Sequence, residues 1–190
     1  MQMPLSALFA GVPTLSPLPA LEAAHITSDT RQVSAGSIFF CIRGFTHDGH
    51  DFAAKALELG AAAVVCERSL DLGGRQILVP DTHEAYALCC ANLFGNPQRR
   101  LRLVGVTGTN GKTTITHLIR DVLQGLGHKT GLIGTIETDL GGVTFPAKYT
   151  TPDPLTFYSI LAQMADAGCE YAVMEVSSHA LALDLSLIHI

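Results

Sequence analysis

Short apolar runs and helix-spaced apolar positions alternate along the first half of the chain. The runs predict strands at residues 37–42, 62–66 and 76–79, and the helical spacing predicts helices at residues 51–59 and 82–94. Alternation of this kind is typical of α/β proteins, in which helices cover the faces of a sheet. The first half is therefore predicted to be a small α/β domain.

The second half continues this alternation with longer elements. It predicts strands at 103–107, 130–134 and 171–176, helices at 112–126 and 154–167, and a hairpin at 136–145. A helix that joins two strands forms a crossover, so the strands at 103–107 and 130–134 are predicted to pair in parallel.

A short segment between the halves marks the domain boundary. Residues 95–100 combine a helix-stopping glycine, a proline and exposed charges, which is typical of a linker. We therefore predict two domains, at residues 1–98 and 99–190.

The composition narrows the class of protein. Of the 190 residues, 47% are hydrophobic and 15% are charged, which is enough apolar material for two buried cores. The net charge is −5, and the short cluster of Arg99, Arg100 and Arg102 is better explained as a linker feature than as a polyanion site. Nucleic acid is not an expected partner.

The cysteines and the N-terminus indicate a cellular location. The five cysteines lack metal-ligand spacing, and buried free thiols suit a reducing compartment. The first ten residues lack the pattern of a secretory signal, and no segment approaches the roughly 20 apolar residues that span a bilayer. We expect a cytoplasmic protein without membrane insertion.

A glycine-rich turn between a predicted strand and a predicted helix carries the clearest chemistry. It comprises Gly108, Thr109, Asn110, Gly111, Lys112, Thr113 and Thr114. In such a turn backbone N–H groups surround the phosphate oxygens of a nucleoside triphosphate, the lysine reaches the terminal phosphates, and the first threonine offers a hydroxyl to Mg²⁺. The strict phosphate-loop pattern has glycine where this chain has Val106, so the loop is a variant. The alternative is a turn that binds nothing.

A carboxylate ends the last predicted strand. Ligands collect at the carboxyl ends of strands in doubly wound sheets, so Glu175 is predicted to face the phosphates and to bind Mg²⁺ together with Thr113. The alternative is an exposed residue at the end of a strand. His179 follows closely, but a lone histidine more often packs or caps a helix than acts in catalysis.

Three motifs, in this order, resemble the Mur ligase family. They are the loop at 108–114, Thr150 and Thr151 before Pro152, and the segment 174–181. Within that family they resemble the MurE-type tripeptide synthetases. Residues 28–31 and 43–49 resemble the family's uridine-nucleotide-binding domain. The implied fold is a small N-terminal uridine-nucleotide-binding α/β domain, followed by part of a P-loop ATPase-type domain with a parallel sheet.

The resemblance implies a reaction. ATP phosphorylates the D-glutamate carboxylate of UDP-N-acetylmuramoyl-L-alanyl-D-glutamate, and the amino group of a diamino acid attacks the acyl phosphate to form an amide. Lys112 and Mg²⁺ then stabilise the charge on the γ-phosphoryl group during transfer. The diamino acid is expected to be meso-diaminopimelate rather than L-lysine, on commonness alone.

The resemblance also implies residue roles. Lys112 and Glu175 are catalytic, Thr113 and Glu175 bind the metal, and residues 108–114 bind ATP. The muramoyl peptide is held by Thr150, Thr151 and Ser177, and the uridine diphosphate end by Ser28, Thr30, Phe45, Thr46 and His47. As alternatives, the threonine pair is a helix N-cap, and Ser28 and Thr30 make only turn hydrogen bonds.

The match stops near the end of the chain. After Asp184 the family usually has an arginine that contacts the substrate, whereas this chain has Leu185 and an unrelated sequence to residue 190. The family's downstream metal-binding histidine, its modified lysine and its C-terminal domain are also missing. We therefore expect an N-terminal portion of the enzyme that is inactive alone and has an exposed sheet edge.

Three other interpretations remain open. A folylpolyglutamate synthase uses a similar loop, but the uridine-type first domain and the threonine pair argue against it. A P-loop switch or kinase would be supported by a GTP preference, but no guanine-specifying motif is visible. A non-catalytic ATP-binding module would bind nucleotide without turnover.

Overall fold

The chain folds as two units. The structure is a computed structural model that describes residues 2–44, 46–147 and 150–177. The first unit comprises Met1–Leu93 and the second Phe94–Ile190. The division lies before the predicted linker, because the 3₁₀ turn Pro97–Arg99 contacts the helix Pro154–Asp166 of the second unit. The functional assignment of the two units stays a prediction.

The first unit is built on a parallel sheet. Its elements are β1 (Met3–Pro4), α1 (Leu5–Leu8), β2 (Glu22–Ala23), β3 (His25–Thr27), β4 (Ser37–Phe40), α2 (Ala53–Glu58), β5 (Ala63–Cys66), β6 (Gln76–Leu78) and α3 (Thr82–Leu93). The order β3-β4-β5-β6 is parallel throughout, and β1 pairs with β2 in an antiparallel ladder. The predicted elements of this half are present, with boundaries moved by a few residues. The pattern missed α1 and β1 to β3, which are too short to show a period.

Neighbouring residues of β4 supply the two faces of this sheet. Phe39 packs with the α2 side of the core, among residues that include Leu57 and Val64. Phe40 points to the opposite face, where its ring lies 6.2 Å from that of Phe9 and 4.9 Å from that of Tyr86. This is the alternation that a strand imposes on successive side chains.

A polar network around the buried His50 lies behind the loop that follows β4. Asp48 accepts hydrogen bonds from the backbone N–H of His50 at 3.0 Å, from its Nδ1 at 2.6 Å and from Arg68 at 3.0 Å. The Nε2 atom of His50 accepts from the N–H of Glu67, whose carboxylate accepts from the N–H of Thr82 at the start of α3. Burial opposes ionisation of Asp48, but these hydrogen bonds lower its pKa below the ordinary range.

The second unit contains a mixed sheet. Its elements are β7 (Arg102–Val106), α4 (Lys112–Gly125), β8 (Thr130–Ile133), β9 (Glu137–Asp139), β10 (Thr144–Pro146), α5 (Pro154–Asp166) and β11 (Tyr171–Glu175). The order is β10-β9-β8-β11-β7, with β8, β11 and β7 parallel and the β9–β10 hairpin antiparallel. The predicted direct pairing of β7 with β8 is wrong, because β11 lies between them.

The position of β11 explains its burial. Its residues from Ala172 to Glu175 are all buried, whereas β7, at the edge of the described sheet, is half-buried or exposed. On β8, an added Cβ at Gly131 would lie 2.6 Å from the sulfur of Met164, so α5 approaches the sheet closely there. The central strand therefore ends inside the unit, and its last side chain is buried.

The structure also bears on two expectations from the sequence, the lack of a membrane-spanning helix and the state of the cysteines. The longest helix in the described part of the chain, α4, has 14 residues, and no described helix reaches the length and apolarity that a membrane span requires. All five cysteines are buried free thiols. Burial raises the pKa of Cys41 to about 12 and that of Cys66 to about 11, so both stay protonated near neutral pH.

Gly49 provides a test of the loop after β4. An added Cβ there would lie 2.6 Å from both the backbone N and the backbone O of Ile42. The change Gly49→Ala must therefore disturb the hydrogen bond from Gly49 N–H to Ile42 O, now 2.9 Å long. We expect the free energy of unfolding to fall by about 1–3 kcal/mol, measured by urea denaturation.

Gly44→Ala, in the same loop, is the matched control. An added Cβ at Gly44 has its nearest neighbour, the carbonyl oxygen of His47, at 3.4 Å. It is expected to be nearly neutral. Equal stability of the two variants would show that the loop relaxes around a methyl group at either position.

Candidate functional site

The glycine-rich loop connects the edge strand β7 to the start of α4. Gly111 is the N-cap of α4 and has φ of +80°, a left-handed conformation that side chains other than glycine rarely adopt. Lys112 and Thr113 are the first two residues of the helix. Their position places the positive end of the helix dipole and its free N–H groups at the loop, where an anion is favoured.

The two side chains at the start of α4 point to different partners. The Nζ atom of Lys112 donates to the carbonyl oxygen of Gly108 at 2.7 Å, across the loop. The hydroxyl of Thr113 donates to the Oε2 atom of Glu175 at 3.0 Å. The loop and the end of β11 are therefore joined by a direct hydrogen bond.

Glu175 is a buried carboxylate with several donors. Its exposed fraction is 1%. Besides Thr113, it accepts from the backbone N–H of Thr135 at 2.9 Å and from the hydroxyl of Thr135 at 3.1 Å. A buried charge requires such partners. The alternative of an exposed residue at the end of a strand is therefore wrong.

The sequence reasoning did not identify Thr135. It lies in the turn after β8, and its Oγ1 atom is 3.2 Å from that of Thr150. The preceding residue, Gly134, gives the carboxylate room, since an added Cβ there would lie 2.9 Å from the Oε1 atom of Glu175. The available signal was a Gly-Thr pair at the carboxyl end of a predicted strand, where ligand sites collect.

The three residues expected at the muramoyl peptide lie beside this carboxylate. The hydroxyl of Thr151 accepts from the N–H of Ser177 at 3.0 Å and lies 3.2 Å from the carbonyl oxygen of Glu175. The N-cap of α5 is Asp153, whose carboxylate accepts from Thr156 N–H. The alternative that the threonine pair caps this helix is therefore wrong.

A cavity of about 340 Å³ brings these residues together. Its lining combines the glycine-rich loop, the end of β11, the turn after β8 and the segment before α5. The lining residues are Thr109, Asn110, Gly111, Lys112, Thr113, Thr135, Thr150, Glu175 and Ser177.

The donor set at this cavity fits Mg²⁺. The Thr113 hydroxyl and the Glu175 carboxylate offer oxygen atoms 3.0 Å apart. Adjacent ligands of an octahedral Mg²⁺ bound at about 2.1 Å are also about 3 Å apart. Within the described residues no group of three or more His, Cys, Asp or Glu side chains could hold a metal. Mg²⁺ usually completes its coordination with phosphate oxygens and water, so two ligands from the protein are enough.

The predicted uridine-binding residues lie in the first unit, after two neighbouring strands. Ser28 and Thr30 follow β3, and Thr46 and His47 follow β4, which pairs with β3 in parallel. The carboxyl ends of parallel neighbours meet at one edge of the sheet, so both loops leave from that edge. Thr46, His47 and Ser28 are exposed, and Thr30 is half-buried. The predicted contact at Phe45 lies outside the described residues.

The turn after β3 has its own internal support. The N–H of Asp29 donates to Thr27 Oγ1 at 3.0 Å, and the N–H of Arg31 donates to the Asp29 carboxylate at 2.9 Å. The hydrogen bonds from Arg31 lower the pKa of Asp29. The described side-chain hydrogen bonds of this turn thus come from the neighbours of Ser28 and Thr30.

His179, weighed as a catalyst, lies outside the described residues.

Family models match both units. The model described as the Mur ligase family catalytic domain matches residues 22–92. The model described as the Mur ligase middle domain matches residues 106–188. Together they cover most of the chain, in the order in which the two units occur.

Curated relatives support the same relationship. The chain is 51% identical over 160 residues to the UDP-N-acetylmuramoyl-L-alanyl-D-glutamate–2,6-diaminopimelate ligase of Geobacillus thermodenitrificans. It is 48% identical over 164 residues to the ligase of that name from Parabacteroides distasonis. These alignments cover 84% and 85% of this chain but only 33% and 34% of the relatives. The chain thus spans about a third of the length of the relatives it matches.

Solved structures have the same fold. One of a UDP-N-acetylmuramoyl-L-alanyl-D-glutamate–2,6-diaminopimelate ligase superimposes with a TM-score of 0.74 at 26% identity, over 96% of this chain and 37% of that one. MurF from Acinetobacter baumannii superimposes with a TM-score of 0.62 at 22% identity, over 94% of this chain and 36% of that one, which shows the fold alone. Because models of one family match both units in order, the chain belongs to the Mur ligase family.

Proposed function

We propose that this chain forms the uridine-nucleotide and ATP sites of a ligase that joins 2,6-diaminopimelate to UDP-N-acetylmuramoyl-L-alanyl-D-glutamate. The observation that carries the proposal is the cavity at which Lys112, Thr113, Glu175 and Ser177 converge. The names of the relatives supply the substrates. The alignments cover only about a third of the relatives' length, so the activity is proposed for a protein of their length that includes this chain.

The reaction begins with activation of a carboxylate. An oxygen of the D-glutamate carboxylate attacks the γ-phosphorus of ATP, the bond to the bridging oxygen breaks, and ADP leaves. Lys112 is proposed to move from the Gly108 carbonyl to the terminal phosphates, where its ammonium stabilises the developing charge. The N–H groups at the start of α4 hold the phosphates.

The metal site is proposed at Thr113 and Glu175. Bound Mg²⁺ supplies neutralisation of phosphate charge and alignment of the phosphoryl group. The chain's own part is to hold two oxygen ligands in place. Burial of Glu175 and its hydrogen bonds to Thr135 keep that carboxylate directed into the cavity.

Amide formation completes the reaction. The amine of the diamino acid attacks the acyl carbon, the carbon–oxygen bond to phosphate breaks, and the amine loses a proton. Thr150, Thr151 and Ser177 are proposed to hold the muramoyl peptide beside the loop. The support is the contacts of Thr151 and Ser177 around the end of β11 and the contact of Thr150 with Thr135. Proximity of the carboxylate to the γ-phosphate is their main contribution.

The first unit is proposed to bind the uridine diphosphate end of the substrate. The support is the shared sheet edge from which the loops with Ser28, Thr30, Thr46 and His47 leave. We place the protein in the cytoplasm, where ATP is available. The relatives' names specify 2,6-diaminopimelate but not its stereoisomer, and meso-diaminopimelate stays our expectation.

Lys112→Ala is expected to weaken ATP binding by about 10- to 100-fold. A hydrogen bond to a charged group contributes roughly 1.5–3 kcal/mol, and this lysine is the proposed cation at the terminal phosphates. Calorimetry of the chain with ATP in excess Mg²⁺ measures the effect. Lys129→Ala is the control, because Lys129 is an exposed lysine of the same unit that donates to the Ala167 carbonyl. Unchanged affinity for Lys112→Ala would remove the phosphate-loop assignment.

Glu175→Gln replaces the carboxylate of the proposed metal ligand by a neutral amide of the same shape. The variant is expected to retain the fold. The amide oxygen can accept from Thr135 N–H, and the two threonine hydroxyls can rotate to accept from the amide nitrogen. In a protein of the relatives' length, turnover should fall on the order of 100-fold, while affinity for the uridine substrate changes little.

Glu170→Gln is the control for Glu175→Gln, since Glu170 is an exposed carboxylate at the opposite end of β11. Both variants are assayed for amide formation at limiting and saturating Mg²⁺. Wild-type turnover of Glu175→Gln at limiting Mg²⁺ would place the metal site elsewhere. ATP binding by the parent without amide formation would support a non-catalytic module instead.

Uridine-nucleotide binding is tested separately on the same chain. Millimolar UDP is expected to shift the backbone amide resonances of Ser28, Thr30, Thr46 and His47, because these residues line the proposed edge. Resonances of β8 and β9 serve as the internal control. If no resonance of the first unit shifted at millimolar UDP, the assignment of the uridine-nucleotide site would be contradicted.

A further inference from the structure

Thr135 contacts both Glu175 and Thr150 at the cavity. Its N–H donates to Oε1 of Glu175 at 2.9 Å, and its Oγ1 lies 3.1 Å from Oε2 of the same carboxylate. Both carboxylate oxygens are thus held by one residue. The Oγ1 atom is also 3.2 Å from the hydroxyl of Thr150.

The hydroxyl proton of Thr135 has two acceptors within reach, the carboxylate of Glu175 and the hydroxyl of Thr150. A carboxylate only accepts hydrogen bonds, whereas a hydroxyl both donates and accepts. Charge-assisted hydrogen bonds are also the stronger ones. The carboxylate is therefore the stronger acceptor for the proton of Thr135, and the hydroxyl oxygen of Thr150 is the second acceptor. Thr135 thus lies between Thr150 and the carboxylate, within hydrogen-bond distance of both.

The turn that carries Thr135 is anchored on both sides. The N–H of Gly134 donates to the carbonyl of Glu137 at 3.0 Å, and the N–H of Ala147 donates to the carbonyl of Ile136 at 3.1 Å. The side chain of Glu137 accepts from Arg120 of α4 at 2.8 Å. The turn is thus fixed to α4, the helix that carries Thr113, and to the hairpin.

The position of the hydroxyl follows from these anchors. Glu175 sits at the end of β11 and Thr135 after the neighbouring strand β8, so parallel pairing places them at one sheet edge. Four carboxylate lone pairs are available, and described donors use three of them. A carboxylate held in this way cannot rotate freely about its terminal torsion.

We propose that Thr135 is a positioning residue, which holds Glu175 in its metal-binding orientation and links it to Thr150 of the muramoyl-peptide site. The proposal rests on the proposed function of Glu175 as a metal ligand. Thr135 acts through the carboxylate and does not itself contact the metal. Its hydroxyl is the part that matters, because the N–H bond to Oε1 survives most substitutions.

The variants separate the hydroxyl from the shape of the side chain. Thr135→Val removes the hydroxyl and keeps the branched shape, and Thr135→Ser restores the hydroxyl. The measurement is ATP affinity of the 190-residue chain by calorimetry, with Mg²⁺ and with EDTA. The ratio of ATP affinity in Mg²⁺ to ATP affinity in EDTA should be about tenfold smaller for Thr135→Val than for the parent, while the affinity in EDTA stays the same. Thr135→Ser should recover most of the gain.

A double variant shows whether Thr135 acts through Glu175. In the Glu175→Gln background, Thr135→Val should cause little further loss of the Mg²⁺-dependent gain. Additive losses would overturn the proposal. Thr144→Val, at an exposed threonine of β10, is the matched control and should resemble the parent.

The outcomes distinguish this proposal from the proposed function. A parent chain whose ATP affinity does not depend on Mg²⁺ contradicts the metal site itself. A parent that shows the dependence, with an unchanged Thr135→Val variant, overturns the role of Thr135 alone. Circular dichroism and the thermal midpoint check folding, and Thr135→Ala replaces the valine variant if that variant unfolds.

Discussion

The buried charge of Glu175 is the constraint on which the second unit depends. A carboxylate with 1% exposure is costly unless donors surround it, and three donors from two other elements do so. These donors come from the first turn of α4 and from the turn after β8. The carboxylate thus links the glycine-rich loop, the central strand and the neighbouring turn.

The sheet order makes this arrangement possible. Because β11 lies between β7 and β8, its carboxyl end is flanked by the loop after one strand and the turn after the other. Backbone pairing continues to the site, since the N–H of Val176 donates to the carbonyl of Val106 at 2.9 Å. Gly134 leaves space that any side chain would fill. The same topology brings the hydroxyl of Thr151 to the backbone carbonyl of Glu175 and to the hydroxyl of Ser177.

In the first unit, a network of polar side chains links the loop after β4 to neighbouring elements. His50 has an exposed fraction of 5% and bridges Asp48 to the backbone of Glu67, while Glu67 reaches the start of α3. This network fixes the loop that carries Thr46 and His47 without using either residue. Thr46 and His47 are themselves exposed.

The sequence by itself determined the helices and strands whose apolar residues have a clear period. It also determined the glycine-rich loop, whose residues are contiguous in the chain. The helices α4 and α5, the strands β8 and β11, and the loop at 108–114 all follow from neighbours along the chain. Only the tertiary structure decided that β11 separates β7 from β8, that Asp153 caps α5, and that Thr135 meets Glu175. Such facts depend on contacts between residues distant in sequence, 40 positions apart for Thr135 and Glu175. Periodicity reports which face of an element is buried, but strand order and side-chain partners follow from how the elements pack together.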